Sequence, residues 1–519
     1  MIGKGRQLIL TSEKEVTEKN VIDIFQKAFK KHWENAAECQ YLYDFDSGIQ
    51  PLVGRADKKI MDWINCQCVD NVAKEANDFW IGFGWGNPIT LVQRGDTPKD
   101  DNIAKGIQEL NNCYAATGNI SDLQQMADFI VKCGHCYTLS ELNKDWEEGE
   151  SYFTRDVLDP RFAFVVRSSA FSDKRTILGA SYRLDDDKNM FITAYSKDFR
   201  FEISALKNGK TSKKEITDNY LWQVTYIEAN PFGKVPIVEW YWTVNRTAII
   251  ETEINALNNI NSLVSDIANG VQQNIQAIWW TNNVEFPKEE IEDEEGNKVL
   301  VEKKPTNGQW LSTQTTKNGN NPTVQPLVID YHLADMQNTY IEQRALLLEK
   351  LHVPQRNDNS GGSTGVAMDS STGYADAESI ASAREGIVIG CQNEEIKVVL
   401  KVIKNSPDIK EDNPMLSLLA RDIQPAIRRP KNFDLTTKSN AIATLLGHGF
   451  SLEDVVANIP LFQDATQVIS RSGDGVRAYQ NTILNKQNEA EGGDGETAPN
   501  SDRLQADLSD QVANSPILN

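Results

Sequence analysis

Apolar residues recur along this chain first at helical spacing, then at strand spacing, then at helical spacing again. Residues 12–40 carry Val16, Ile22, Phe25, Phe29 and Trp33 near a 3.6-residue period, with Ser12 and Glu15 placed as a capping box, and predict an amphipathic helix. Helical patterns follow over 57–80 and again over 103–130, through Ile107, Leu110, Tyr114, Leu123, Met126 and Ile130. From 131 to 243 the texture shifts to short β-branched and aromatic runs, such as Phe162-Ala-Phe-Val-Val-Arg167 and Met190-Phe-Ile-Thr-Ala-Tyr195. Asp185-Asp-Asp-Lys-Asn189 and Lys207-Asn-Gly-Lys210 read as hairpin turns between such runs, so this stretch predicts a largely antiparallel β region.

The strongest periodic signal comes next. Ile250, Ile254, Leu257, Ile260, Val264, Ile267, Val271, Ile275 and Ile278 form one apolar stripe and predict a helix over 250–280. Its other faces are rich in amides, among them Asn255, Asn258, Asn259, Asn261 and Gln272, and no Lys or Arg occurs between 250 and 280. An ordinary solvated face carries Lys–Glu pairs four residues apart. Their absence suits a helix packed beside copies of itself, with amides bridging laterally.

Residues 283–328 hold an acidic run, with Glu289, Glu290, Glu292, Glu294 and Glu295, followed by the strand-like Lys298-Val-Leu-Val-Glu302, and predict a small α/β appendage. Helical spacing returns through Leu333, Met336, Tyr340, Leu347 and Leu351 and stops before Pro354, since proline disfavours helical geometry in the residue before it. Residues 355–373 are rich in Gly, Ser and Asn and read as loop. A further helix is predicted over 375–404, with Gly386 and Gly390 marking a kink. Beyond it come a strand-like Ile423–Arg428, short helices that include a Ser451-x-x-Asp454 cap, and a Glu/Gly/Asn/Ser-rich tail from 487 expected to be disordered.

Composition refines this α+β, multidomain picture. The chain has 519 residues, 40% hydrophobic and 24% charged, near globular averages. Its 53 Lys+Arg against 74 Asp+Glu give a net charge of −21, a field that repels polyphosphate. Tight static binding of nucleic acid is disfavoured, whereas a lining with few phosphate contacts, past which DNA slides, is compatible. Seven cysteines, at 39, 66, 68, 113, 133, 136 and 391, do not resemble a secreted disulfide framework. The N-terminus lacks the apolar run of a signal peptide, and no stretch reaches the roughly 18 apolar residues of a spanning helix. The expectation is a soluble protein made in a reducing cytoplasm, with no membrane partner.

Few motifs carry chemistry. Cys133-Gly-His-Cys136 has the spacing of a thiol-redox motif, but that motif opens a helix after a strand, and here it follows a helix and leads into a strand. With Cys66-x-Cys68, read in a helical pattern, it makes the alternative reading: a cytoplasmic thiol-redox or structural-zinc protein using Cys66, Cys68, Cys133 and Cys136. Lys207-Asn-Gly-Lys-Thr211 lacks the first glycine of a phosphate loop, since Ser204 stands there. Gly82-Phe-Gly-Trp-Gly86 follows a helix in this reading and fails the strand–turn–helix test for dinucleotide binding. No catalytic residue, cofactor or metal is expected.

The order of parts resembles the portal family found in siphophages of Gram-positive bacteria. Three segments carry the likeness: Asn230-Pro-Phe-Gly-Lys-Val-Pro-Ile-Val-Glu-Trp240 before the long helix, Leu263-Val-Ser-Asp266 within it, and Ser363-Thr-Gly-Val-Ala-Met368, similar to a Ser-Gly-Val-Ala-Leu segment. In the last, Thr364 is inserted and Met368 replaces Leu. The resemblance implies a portal fold, with a wing at 1–248 and in part of 406–435, stem helices at 249–281 and 331–351, and a clip at 282–330. It further implies a tunnel loop at 352–373, a kinked wing-to-crown helix at 374–405 and a crown at 436–486, with the compositional tail at 487–519 beyond it. Tunnel-loop residues facing DNA would be Gln355, Arg356, Asn357, Asn359, Ser360, Ser363 and Thr364; the acidic clip would be a docking site. The implied assembly is a dodecameric ring at a capsid vertex of the virion, passing double-stranded DNA. Its implied partners are the terminase large subunit, the head–tail adaptor, and the major capsid and scaffolding proteins. ATP hydrolysis would come from the terminase, not from this chain.

Overall fold

In the computed structural model the first strand, β1 (Leu10–Thr11), is followed by helix α1 (Val21–Asp46), which starts later than the 12–40 pattern suggests. Asn20 holds residues 12–20 out of the helix: its Oδ1 accepts from Thr17 N at 2.7 Å and its Nδ2 donates to Glu15 O at 3.0 Å. The Ser12/Glu15 pair therefore opens no helix. The structure describes residues 5–51, 65–94, 101–170, 175–207, 220–275, 332–355 and 373–427, the strands between 278 and 327, and parts of 429–478.

Helix α2 (Val72–Trp85) and strand β2 (Thr90–Gln93) come next, then α3 (Asp101–Ala116) and α4 (Asn119–Cys133). The single helical stretch expected over 103–130 is thus a pair of helices, broken at Gly118, whose φ of +87° suits a residue without a Cβ. The Gly82–Gly86 motif does not follow a helix but lies in the last turn of α2 and just past it. Within it Gly84 packs closely, since a Cβ there would sit 3.2 Å from the Trp242 ring.

The β region is as antiparallel as its alternation implies. Strands β3 (His135–Leu142), β4 (Phe153–Leu158), β5 (Ala163–Ser168), β6 (Thr176–Leu184), β7 (Met190–Tyr195), β8 (Phe199–Lys207), β9 (Tyr220–Ala229) and β10 (Ile237–Tyr241) form two sheets. One has the order β1-β5-β6-β7-β8-β9, parallel only at β1-β5; the other is β10-β3-β4. The turn at Asp185–Asn189 joins β6 to β7 as expected, while the turn at Lys207–Lys210 falls outside the described residues beyond Lys207.

Two cores result. Helix α1 covers one face of the six-stranded sheet, with Phe25 packed on Phe164 and Trp222, and Phe29 on Tyr182. The other core gathers Trp80, Leu110, Met126, Ile130 and Trp240, each buried to 1% exposure or less. Burying each such side chain contributes roughly 1.5–3 kcal/mol.

Helix α5 spans Ile254–Ile275 and is shorter than the 250–280 stripe. Residues Glu251–Glu253 form a tight 3-10 turn before it, and Ile278–Asn282 leave the helix to become strand β11. Ile278, Trp279, Trp280 and Thr281 are strong strand formers, and they pair with residues 43 to 49 positions away, Ile278 opposite Leu327, which no local period reveals. The rest of the insert is β12 (Val284–Glu285), β13 (Lys288–Glu292), β14 (Lys298–Glu302), β15 (Gln314–Thr315) and β16 (Thr323–Leu327). These pair as nested antiparallel ladders, β11-β16, β12-β15 and β13-β14. Among the described residues of the insert there is no helix, so its described part is β and not α/β.

Helix α6 (Leu333–Lys350) runs back beside α5, and α7 (Tyr374–Lys404) is one unbroken helix through Gly386 and Gly390. Strand β17 (Ile423–Ala426) returns to pair antiparallel with β2. The chain divides into two units, residues 1–430 and 431–519. The second contains α8 (Leu435–Gly447) and, near Ser451, a turn in which Val455 N donates to Ser451 O at 3.0 Å. Residues 487–519 lie outside the described residues.

Candidate functional site

Helices α5 and α6 present exposed amides beside the exposed apolar Val271, Ile341 and Leu346. Ile254, Leu257 and Ile260 of α5 pack against Leu347, Leu348 and Leu351 at the far end of α6. Where the pair meets the insert, Gly270 allows close approach, since a Cβ there would sit 3.1 Å from Leu333 Cδ2. The base of α5 is tied to the N-terminal segment through Glu251, whose Oε1 accepts from Arg6 at 2.6 Å and whose Oε2 accepts from Ala248 N at 3.0 Å. Both charged side chains are buried, so each needs the other.

One polar stripe of α5 is used inside the subunit. Residues 65–70 are not helical, contrary to the 57–80 pattern, but run extended along α5, while 52–64 lie outside the described residues. Cys66 N donates to Asn269 Oδ1 at 2.7 Å, Cys68 N to Ser265 Oγ at 3.0 Å, and Asp70 N to Asn261 Oδ1 at 2.9 Å. Asn269 and Ser265 also donate back to the carbonyls of Cys66 and Cys68. The match is metric: two residues of extended chain advance about 6.6 Å and four residues of helix about 6 Å. Arg344 and Tyr340 of α6 fasten the same segment, with Tyr340 Oη donating to Asp70 Oδ2 at 2.8 Å and Arg344 Nε reaching it at 3.3 Å. Burial, with the Asp70 carboxylate beside it, raises the Tyr340 phenol.

This corrects one of the five stem residues expected to pack a ring. Asn261 is fully buried and bonds Gln50 and Asp70 of its own chain. Asn255, Asn259 and Gln272 are exposed, and Asn258 is half-buried with an Oδ1 that has no hydrogen-bond partner among the described residues. Ser265 and Asn269, four and eight residues beyond Asn261, complete the same ladder, and that spacing is the signal the sequence carries for it.

Of the expected tunnel-loop residues, Gln355 is described, its Nε2 donating to Ala345 O at 2.7 Å. Arg356, Asn357, Asn359, Ser360, Ser363 and Thr364 lie outside the described residues. The two ends of that segment meet: His352 Nδ1 lies 2.5 Å from Asp376 Oδ2, and Gly373 approaches Pro354. Of the acidic clip residues, Glu290 pairs with Lys298 at 3.4 Å across β13-β14, and Glu289 and Glu292 lie in β13 opposite Val301 and Lys298. Glu294 and Glu295 lie outside the described residues.

The cysteines do not gather into a site. Cys133 ends α4 and Cys136 sits in β3, with Gly134 between them in the left-handed conformation that closes the helix. Both thiols are completely buried, and burial pushes both well above the ordinary thiol value, the opposite of what a reactive cysteine needs. The Cys133 thiol points to Cys39 O at 3.9 Å, whereas Cys66 and Cys68 belong to the segment whose backbone is bonded to Asn269 and Ser265 of α5. Among the described residues no group of three or more His, Cys, Asp and Glu is placed to hold a metal ion. The thiol-redox and zinc readings fail on this geometry. His135, inside the motif, is held neutral by burial, which lowers its pKa to about 4.

No helix among the described residues is long and apolar enough to cross a membrane. No curated protein matches the chain. Residues 26–478 match the family described as phage portal protein, SPP1 Gp6-like, and with most of its length matched the chain belongs to that portal family.

Proposed function

We propose that this chain is one subunit of a dodecameric ring at a capsid vertex, the channel through which double-stranded DNA is packaged and ejected. The observation that carries the reading is the portal-family match over 26–478. The helix pair agrees with it. Val271, Ile341 and Leu346 on α5 and α6 are 42%, 54% and 56% exposed, beside amides and without a Lys or Arg on α5. Apolar and amide surface of this kind suits burial against neighbouring copies.

In this reading the two sheets, α1–α4 and the returning strand β17 form the wing, and the β17-β2 pairing supports assigning part of 406–435 to it. Helices α5 and α6 form the stem, the nested strands of the insert the clip, α7 the wing-to-crown helix, and the residues after 436 the crown. Residues 352–373 form the tunnel loop facing DNA. The acidic clip docks the terminase large subunit and then the head–tail adaptor, and the capsid and scaffolding proteins surround the wing. The ring is a passive conduit in which hydrolysis of ATP belongs to the terminase, and the net charge of −21 keeps DNA from sticking. Negative-stain micrographs of the purified protein should present rings with a central hole, and the protein alone should have no ATPase activity. A monomer at every concentration, unchanged by capsid or scaffolding protein, sinks the proposal.

A further inference from the structure

In a chain this acidic, one cavity stands out by its sign. It has a volume of about 590 Å³ and lies between the six-stranded sheet, the loop before β10 and helix α7. Its lining includes Lys14, Arg167, Arg175, Lys197, Lys234 and Lys401, above an apolar floor of Val16, Ile177, Val235 and Val398. Four carboxylates also line it, Glu15, Asp198, Glu239 and Glu394, and two of these are already engaged. Glu239 holds Arg246 at 2.7 Å and Arg167 at 2.8 Å; Glu394 holds Lys397 at 2.5 Å and Lys234 at 3.7 Å. Lys14 and Lys197 are exposed and make no ion pair among the described residues, and Lys401 Nζ reaches only the Gly233 carbonyl, at 3.4 Å. Burial pushes the Lys234 ammonium down, with Lys397 and Lys401 adding to the effect of burial and Glu394 opposing it. The cavity is therefore short of negative charge.

The complement lies on the same two strands. The cavity takes Arg175, Thr176 and Ile177 at the start of β6 and Ser196 to Asp198 after the end of β7. The turn at the opposite end of β6 and β7 is Asp185-Asp-Asp-Lys-Asn189, separated from the cavity by a nine-residue strand, about 30 Å of extended chain. Asp185 is spent on the turn, accepting from Asn189 N at 2.7 Å and from Asn189 Nδ2 at 2.9 Å. Asp186 and Asp187 are exposed and make no ion pair among the described residues. A head-to-tail ring needs two different, complementary patches on each subunit, and these two have opposite sign.

We propose that the acidic turn at Asp185–Asn189 of one subunit seats in the cation-lined cavity of the next copy, with Asp186 and Asp187 facing Lys197 and Lys401. This rests on the ring reading above, and the full-length protein tests it by size-exclusion light scattering and negative stain in about 0.15 M salt. Asp186→Lys with Asp187→Lys, and separately Lys197→Glu with Lys401→Glu, should each lower the ring fraction roughly tenfold or more, because like charges then meet at every interface. All four changes on one chain restore the opposite signs and should restore the ring. Unchanged melting curves establish that each variant folds. Rings of wild-type abundance in both pair variants, or a fourfold variant as deficient as its parents, overturn this inference while leaving the portal reading intact. Absence of rings in the wild type overturns both.

Discussion

The core behind the three-stranded sheet and the helix pair α5/α6 satisfy their polar groups in different ways. In the core, Arg155 of β4 meets Glu395 of α7 through two hydrogen bonds, at 2.8 and 3.2 Å, with both side chains almost wholly buried. Tyr114 and Trp240 lie under the guanidinium, and Gln392 donates to the same carboxylate at 3.1 Å. On the helix pair, one polar stripe is satisfied by residues 65–70, while exposed amides and exposed Val271, Ile341 and Leu346 remain on the surface. The first region is finished within one chain. The second leaves amide and apolar surface exposed in the single chain, and under the proposed ring reading that surface is where neighbouring copies would pack.

The comparison breaks most readily at its buried end. Glu395→Ala strands the Arg155 charge and should lower unfolding free energy by about 3–5 kcal/mol in urea titrations; a loss below about 1 kcal/mol would mean that the pair does not anchor α7. Acid comes next. His32 and His135 are buried and neutral, with pKa values lowered by burial to about 3 and about 4 from 6.5. Protons bind the unfolded chain first, so stability falls as pH drops from about 6.5 toward 4, by roughly 1–2 kcal/mol for each histidine by pH 5. Glu239 behaves differently: burial alone would raise its carboxyl, but the hydrogen bonds and charge of Arg246, with the charge of Arg167, hold it at about 2. Its contribution persists above pH 4.5 and is lost only as pH falls toward 2. Urea midpoints at pH 7.5, 5 and 3.5 separate these windows.

A smaller loss, about 1–2 kcal/mol, should follow Asn261→Ala, which removes the acceptor of Asp70 N and the donor to Gln50 Oε1. Hydrogen exchange should then quicken at residues 65–70; unchanged protection there would count against the helix–strand ladder. Smallest in stability is Asn255→Lys with Asn259→Lys on the exposed face, expected within about 0.5 kcal/mol by thermal melting. The same pair should nonetheless reduce ring formation in sizing runs, and ring formation that tolerates it would remove that face from the interface.

Much of this protein was legible along the chain because the relevant physics is local. Alternation of side chains between two faces marked the antiparallel region, and the Asp185–Asn189 turn fell where its residues placed it. The apolar stripe through Ile254, Leu257 and Ile260 announced α5, and the position of Cys133-Gly-His-Cys136 after a helix already argued against redox chemistry. What tertiary structure decided depended on partners distant in sequence. Residues 278–282 match the helical stripe and also favour strand, and only pairing with 323–327 chose between the two. Cys66 and Cys68 fit a helical pattern until an amide ladder on α5, about 200 positions away, offered their backbone better partners. Asn261 looked like its amide neighbours and became an internal ligand for the same reason. Periodicity records which face a residue turns, while the identity of the group that meets it is set by the folded chain.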